Sequence, residues 1–257
     1  MISIEQIEFF LIILVRISGF IFTAPFFNLK NVPTRVKVGL AGGLAILLYN
    51  TLPYEPVLYD GVTGLTLLLV SETLVGLILG FMANICYQIL QFAGQLLDME
   101  IGFSMVNEID PVTSAQVTVS GNFYSYAVML MMMVTYMHHF LLDALIDSFV
   151  IAPVGSVFIN PSIYTVATTF LGDYFVLAFR IVLPVFGSML LVNTVLAILA
   201  KVAPQMSMFV IGIQLKLIVG LVVMLVVIEL IPGISELIFD KMLEVMRDAA
   251  SYIGSPG

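Results

Sequence analysis

Six stretches of this chain are apolar enough to lie at membrane depth, and they differ in quality. Residues 7–27 form one run interrupted by Arg16; it is about bilayer length, since roughly 20 apolar residues cross a ~30 Å hydrocarbon layer. Residues 38–52 are shorter and carry Gly39, Gly42 and Gly43. Residues 62–97 are long for one crossing and hold Glu72 near their start. Residues 123–142 make a further full-length run containing Met129, Met131, Met132 and Met133. Residues 174–200 include Arg180 and Pro184, and residues 206–231 include Lys216 and end at Pro232-Gly233, a helix stop by composition. All six are predicted as helices. Lipid offers backbone groups no partner, and a barrel would show alternating segments of about ten residues instead.

The connections are less regular. Residues 28–37 hold Lys30, Arg35, Lys37 and Pro33 and read as a cytoplasmic loop. From residue 38 to 179 there is no Lys or Arg. Six alternating spans counted from the basic loop put Lys201 inside but Lys241 and Arg247 outside. Either the short run 148–158 changes the parity, or some segments are not ordinary lipid-facing spans. Beyond Pro232, Ile234, Leu237, Ile238, Met242, Val245 and Met246 recur at helical spacing among charged residues. This predicts an amphipathic helix on a membrane surface or on a partner. The chain thus divides into a membrane-embedded domain, 1–232, and a C-terminal helix and tail, 233–257.

Composition narrows the function. Hydrophobic residues make up 61% of the 257 and charged residues 10%. A soluble chain runs at roughly 45–50% and about 25%, so a soluble enzyme and a disordered chain are excluded. A net charge of −8 has the wrong sign for nucleic acid. Residues 1–8 contain Glu5 and Glu8 but no basic residue, so no cleavable signal is expected. Cys86 is the single cysteine. His138 and His139 are adjacent, so on a helix their side chains are expected about 100° apart. No catalytic motif and no P-loop is present, and neither enzyme activity, a metal site nor a cofactor is expected.

Ionisable residues inside apolar runs cost at least ~2.5–3.5 kcal/mol at a helix centre. Arg16, Glu72, Arg180 and Lys216 are therefore paired, solvated in a pore, or nearer an interface. Glu72 has two candidate partners, Arg16 and Arg180. Four scattered charges do not make a relay, and they are read as assembly contacts between buried helices. Gly39/Gly43 and Gly76/Gly80 are GxxxG pairs that let helices approach closely. Residues 101–121 read IGFSMVNEIDPVTSAQVTVSG, with too many polar residues for a lipid-facing helix and too many apolar ones for a solvated loop. Irregular backbone between membrane segments is tolerated where it is buried in protein or lines a cavity. A pore-obstructing or gating loop is favoured over an amphipathic connector.

Three strings carry a resemblance. Thr23-Ala24-Pro25-Phe26-Phe27 is followed by Val32-Pro33-x-Arg35-Val36-Lys37-Val38-Gly39-Leu40. Ala93-Gly94-Gln95 leads through Met99-x-Ile101-Gly102-Phe103-Ser104 to Asp110-Pro111. Ala203-Pro204-Gln205-Met206-x-Met208-Phe209-Val210-Ile211-Gly212 closes the set. In this order they resemble the FliR family of flagellar biosynthetic proteins, part of the type III secretion export apparatus. The resemblance implies an all-α, polytopic subunit of an export gate in the bacterial cytoplasmic membrane, at the flagellar basal body. It further implies a helical hetero-oligomeric assembly with FliP, FliQ and FlhB, a pore carrying unfolded flagellar substrates, and many helices buried in protein instead of lipid. The family's plug loop maps onto residues 101–121, with Ile101, Gly102, Phe103, Ser104, Met105, Val106, Asn107, Ile109, Asp110 and Pro111 as its candidate residues and Phe103, Met105, Val106 and Ile109 as its apolar seal. Where flagellar members commonly read Gly-Phe-Pro-Leu, this chain reads Gly212-Ile213-Gln214-Leu215. The injectisome homologue is the first alternative, and a secondary transporter or channel using Arg16, Glu72 and Arg180 is the second.

Overall fold

Helices account for all regular structure among the described residues of this computed structural model, which are 4–29, 31–54, 57, 59–103, 118–157, 160–203 and 208–253. In chain order they are α1 (Ile4–Thr23), α2 (Thr34–Thr51), α3 (Gly61–Ile101), α4 (Val119–Val134), α5 (Met137–Ile151), α6 (Ile163–Val202), α7 (Met208–Val227), a 3-10 turn (Ile228–Leu230) and α8 (Ile231–Ser251). Two compact units result. The first comprises Met1–Cys86, Thr135–Leu171 and Phe239–Gly257, the second Tyr87–Val134 and Gly172–Ile238.

In the first unit α1 meets α3 backbone to backbone, and glycine makes the crossing possible. A Cβ built on Gly76 would strike the carbonyl oxygen of Arg16, and one on Gly80 would strike the Thr23 hydroxyl and lie 2.8 Å from the Phe20 carbonyl. With no side chain in the way, van der Waals contact replaces the hydrophobic drive that lipid cannot supply. Against α1, α2 packs with Ala41, Ala45 and Leu48 buried. Its opposite face shows Val36, Leu40 and Leu47 exposed, and nothing lies within 4 Å of a Cβ built on Gly39 or Gly43. The two GxxxG pairs therefore differ, since only Gly76/Gly80 is filled by this chain. Gly76→Val is expected to lower the stability of the detergent-purified protein by at least ~1–3 kcal/mol, the usual cost of overpacking. Gly39→Val is expected to change it by less than ~0.5 kcal/mol. Thermal unfolding of the two variants side by side checks this.

In the second unit the last turns of α3 carry Ile101, which is fully buried with Gly220 of α7 against its side chain. Much of α6 and α7 is uncovered, with Leu183, Leu191 and Ile198 on α6 and Ile218, Leu225 and Val226 on α7 all more than half exposed.

Four sequence expectations are corrected. Among the described residues four helical stretches, not six, are long and apolar enough to cross a membrane (Ile4–Thr23, Gly61–Ile101, Ile163–Val202, Ile211–Ser251), or five if α4 and α5 count as one broken span. Residues 38–52 drop out because α2 as it forms includes Arg35, Lys37 and Asn50. The run 123–142 is not one helix, since it breaks before Met137, where Tyr136 takes a left-handed backbone (φ 57°). Nor does Pro232 end the α7 helix. Its ring cannot sit over the carbonyl four residues back, which belongs to Ile228, and that is where the α-helix tightens into the 3-10 turn. Helix α8 then starts at Ile231, with Pro232 in its first turn, where a missing N–H costs nothing. The apolar face of α8, expected on a membrane or a partner, is buried by this chain itself at Ile238, Met242, Val245 and Met246.

Candidate functional site

The first unit encloses an ion pair. Arg16, on α1, and Glu72, on α3, are both fully buried. Glu72 Oε2 lies 2.6 Å from Arg16 Nε, which donates to it, and 2.6 Å from Arg16 Nη2. The guanidinium also donates through Nη1 to the carbonyls of Ser148 (3.1 Å) and Ala152 (3.0 Å). The Ser148 carbonyl also accepts the N–H of Ala152 at 3.0 Å; Arg16 adds a second donor there and one at Ala152, and so caps the C-terminus of α5. The Phe149 ring lies under the guanidinium at 4.2 Å, adding a cation–π contact. Glu72 Oε1 accepts the N–H of Gly155 at 2.9 Å. Gly155 has φ +84°, and a Cβ there would lie 2.5 Å from Val57 Cγ1, so the turn after α5 needs glycine on both counts. Arg16 and Glu72 thereby lock α1, α3, the end of α5 and the following turn into one knot. Beside it an apolar cavity of about 240 Å³ is lined by Phe9, Leu52, Pro53, Phe149, Val150, Pro153 and Val154.

The second unit holds the base of the 101–121 connector. Asp98, on α3, is 2% exposed, and its carboxylate accepts the backbone N–H groups of Val119 (2.7 Å) and Ser120 (3.0 Å). It caps α4 from another helix, placing negative charge at the positive end of the helix dipole. The Thr118 hydroxyl, which would normally fill that role, donates instead to Gln91 Oε1 at 3.1 Å. Gln91 Nε2 in turn donates to Ser125 Oγ (2.9 Å) and Asn122 Oδ1 (3.3 Å). A Cβ on Gly94 would strike the Gly121 backbone, so α3 and the first turn of α4 touch without side chains between them. Asp98→Ala is expected to cost ~1–2 kcal/mol, the upper range for a lost cap. Faster amide hydrogen exchange at Val119 and Ser120, with Gly76 and its neighbours unchanged, is the measurement.

Among the residues singled out by sequence, the structure brings Arg16 to Glu72, and Gly76 and Gly80 to α1. Arg180 is exposed on α6 and Lys216 half-buried on α7. Ile101 ends α3, and Gly102 and Phe103 follow it, whereas Ser104, Met105, Val106, Asn107, Ile109, Asp110 and Pro111 lie outside the described residues. The rings of His138 and His139 are closer than expected, 4.1 Å between centroids, because both sit in the first turn after the break at Tyr136. Among the described residues no group of three His, Cys, Asp or Glu is placed to hold a metal. Sequence reasoning missed Asp98, Gln91 and Gly155. Asp98 carried a signal, as an acid closing an apolar run just before the irregular connector. In the first unit the Tyr59 phenol is pushed above its usual pKa by its hydrogen bond to the Glu8 carboxylate and then by burial.

Long apolar helices, a fully enclosed ion pair and broad uncovered hydrophobic faces define a polytopic helical membrane protein. The profile of the bacterial export proteins, family 1, matches residues 7–242, and the chain belongs to that family. It is 34% identical to the flagellar biosynthetic protein FliR of Bacillus subtilis over 255 residues, 98% of each chain. It is 29% identical to FliR of Escherichia coli over 240 residues (93% of this chain, 92% of the relative). FliR of Aquifex aeolicus is 26% identical over 219 residues (84% and 83%).

Proposed function

We propose that this chain is a non-enzymatic subunit of the flagellar type III protein export gate in the bacterial cytoplasmic membrane, at the basal body. It would assemble with FliP-, FliQ- and FlhB-type subunits, line the pore taken by unfolded flagellar substrates, and close that pore with residues 101–121. The observation that carries the assembly is one of length. Stretches α3 and Ile211–Ser251 have 41 residues each and α6 has 40, about 60 Å apiece at 1.5 Å per residue. That is roughly twice the hydrocarbon thickness, and on α6 the exposed positions stay apolar over most of that length, from Tyr164 to Val202. Lipid covers about half of that helix, so other protein must cover the rest.

The closed knot at Arg16 and Glu72 supports a building block over a transporter. Each carboxylate oxygen of Glu72 is committed, and the pair has no exposed surface, which leaves no path for a coupling ion. The flagellar relatives favour a flagellar over an injectisome system. The test is to delete the gene and re-express a tagged chain. Lost motility that the tagged chain restores, and purification of that chain with several other small membrane proteins, supports the reading. A monomer in detergent and a fully motile deletion strain would overturn it.

A further inference from the structure

We propose that the face of α6 centred on Arg180 seats a helix of another subunit, and that this helix carries an aspartate or glutamate opposite the guanidinium. The inference rests on the export-gate reading and names one contact within it. Arg180 is exposed, and among the described residues it has no ion-pair partner. Helix α6 carries one acid, Asp173, seven residues earlier; that is about 10 Å along the axis, and Asp173 is engaged by other groups. The surface around Arg180 is apolar, with Val176, Phe179 and Leu183 each more than half exposed. On the same face nothing lies within 4 Å of a Cβ built on Gly172 or Gly187, so another backbone can come close on either side.

The length of α6 makes a protein partner necessary in either membrane placement. A bilayer covers about 20 of its residues. If it covers residues 181–200, then Phe175, Val176 and Phe179, all about half exposed, stand in water and need a protein cover. If it covers residues 171–190, Arg180 stands at mid-depth in the hydrocarbon, where an unpaired guanidinium is strongly disfavoured. A lipid phosphate could reach Arg180 in the first of these placements but not in the second, and in the first it would leave the two phenylalanines bare. An apolar helix with one carboxylate satisfies both placements. Carboxylate matches the guanidinium fork with two parallel hydrogen bonds, which a hydroxyl or amide does not.

The experiment uses the complex purified from membranes through a tag on this chain. Arg180→Glu and Arg180→Gln are expected to reduce co-purified subunits at least about tenfold, since removing one member of a buried pair strands the other. Arg180→Lys is expected to retain more than Arg180→Gln. A photoreactive amino acid at position 179, with Arg180 intact, is expected to cross-link to a different subunit, which keeps the test independent of whether the charge variants fold. Equal recovery of the complex with Arg180→Gln, or a cross-link only to lipid or to a second copy of this chain, overturns the inference. A wild-type chain that brings down no other subunit overturns the export-gate reading instead, so the two failures are told apart.

Discussion

Arg16→Ala is expected to destabilise the protein by ~3–5 kcal/mol, the range for breaking a buried ion pair by removing one partner. The loss exceeds that of a surface pair because nothing replaces what Arg16 does. Glu72 would lose its cation while still fully buried. The carbonyl of Ala152 would lose the Arg16 donor and that of Ser148 one of its two, and a buried group left unsatisfied costs about 1–3 kcal/mol. Against a typical total of about 5–15 kcal/mol, the variant sits near the folding threshold. The expected readout is a lower membrane level and a lowered unfolding midpoint in detergent. Glu72→Gln is expected to be damaging too, because it strands the guanidinium. Replacing both residues with apolar ones of similar volume, Arg16→Met with Glu72→Leu, is expected to recover most of the loss, since neither charge then remains buried. If the single variants unfold like wild type, the knot is not a strut. A double variant as poor as either single one would mean that the hydrogen bonds to α5 and Gly155, not the charges, dominate.

How legible this was from sequence depended on whether the cause was local. The apolar runs gave the helices away because hydropathy is a per-residue property. Cost alone was enough to mark Arg16 and Glu72 as needing partners, since an ionised side chain in an apolar run is expensive wherever it sits. The choice of Arg16 over Arg180 was not legible. It depends on α1 and α3 approaching closely enough at Gly76 and Gly80, and a GxxxG pattern reads the same at Gly39 and Gly43, where this chain packs nothing. The break at Tyr136 was hidden for a related reason. Thr135 and Tyr136 carry no Gly or Pro signal, and the left-handed turn is held by the surroundings, where the Phe26 ring stacks on His138 at 5.3 Å. Pro232 misled in the opposite direction. Its effect is on the carbonyl four residues back, so the disturbance appears at Ile228 and the helix resumes.

Deleting residues 104–114 is expected to turn an ion-tight complex into a leaky one. The expectation follows from the mixed composition of the connector and from the way its two ends are tied. Asp98 bonds Val119 and Ser120, and Phe103 lies five residues beyond Asp98, about 8 Å along the helix direction. After the deletion, residues 115–117 remain to join Phe103 to Thr118, four links that span up to about 14 Å. The base can therefore stay folded while the connector is shortened, which separates loss of a stopper from loss of the fold. An apolar obstruction excludes ions by denying them a hydrated path, so its removal is expected to produce conductance in proteoliposomes holding the purified complex, where the intact complex shows none. Hydrogen-exchange protection at Val119 and Ser120 should persist in the shortened chain. If that protection persists and the complex assembles but stays ion-tight, the connector is not the barrier, and closure belongs to another part of the assembly.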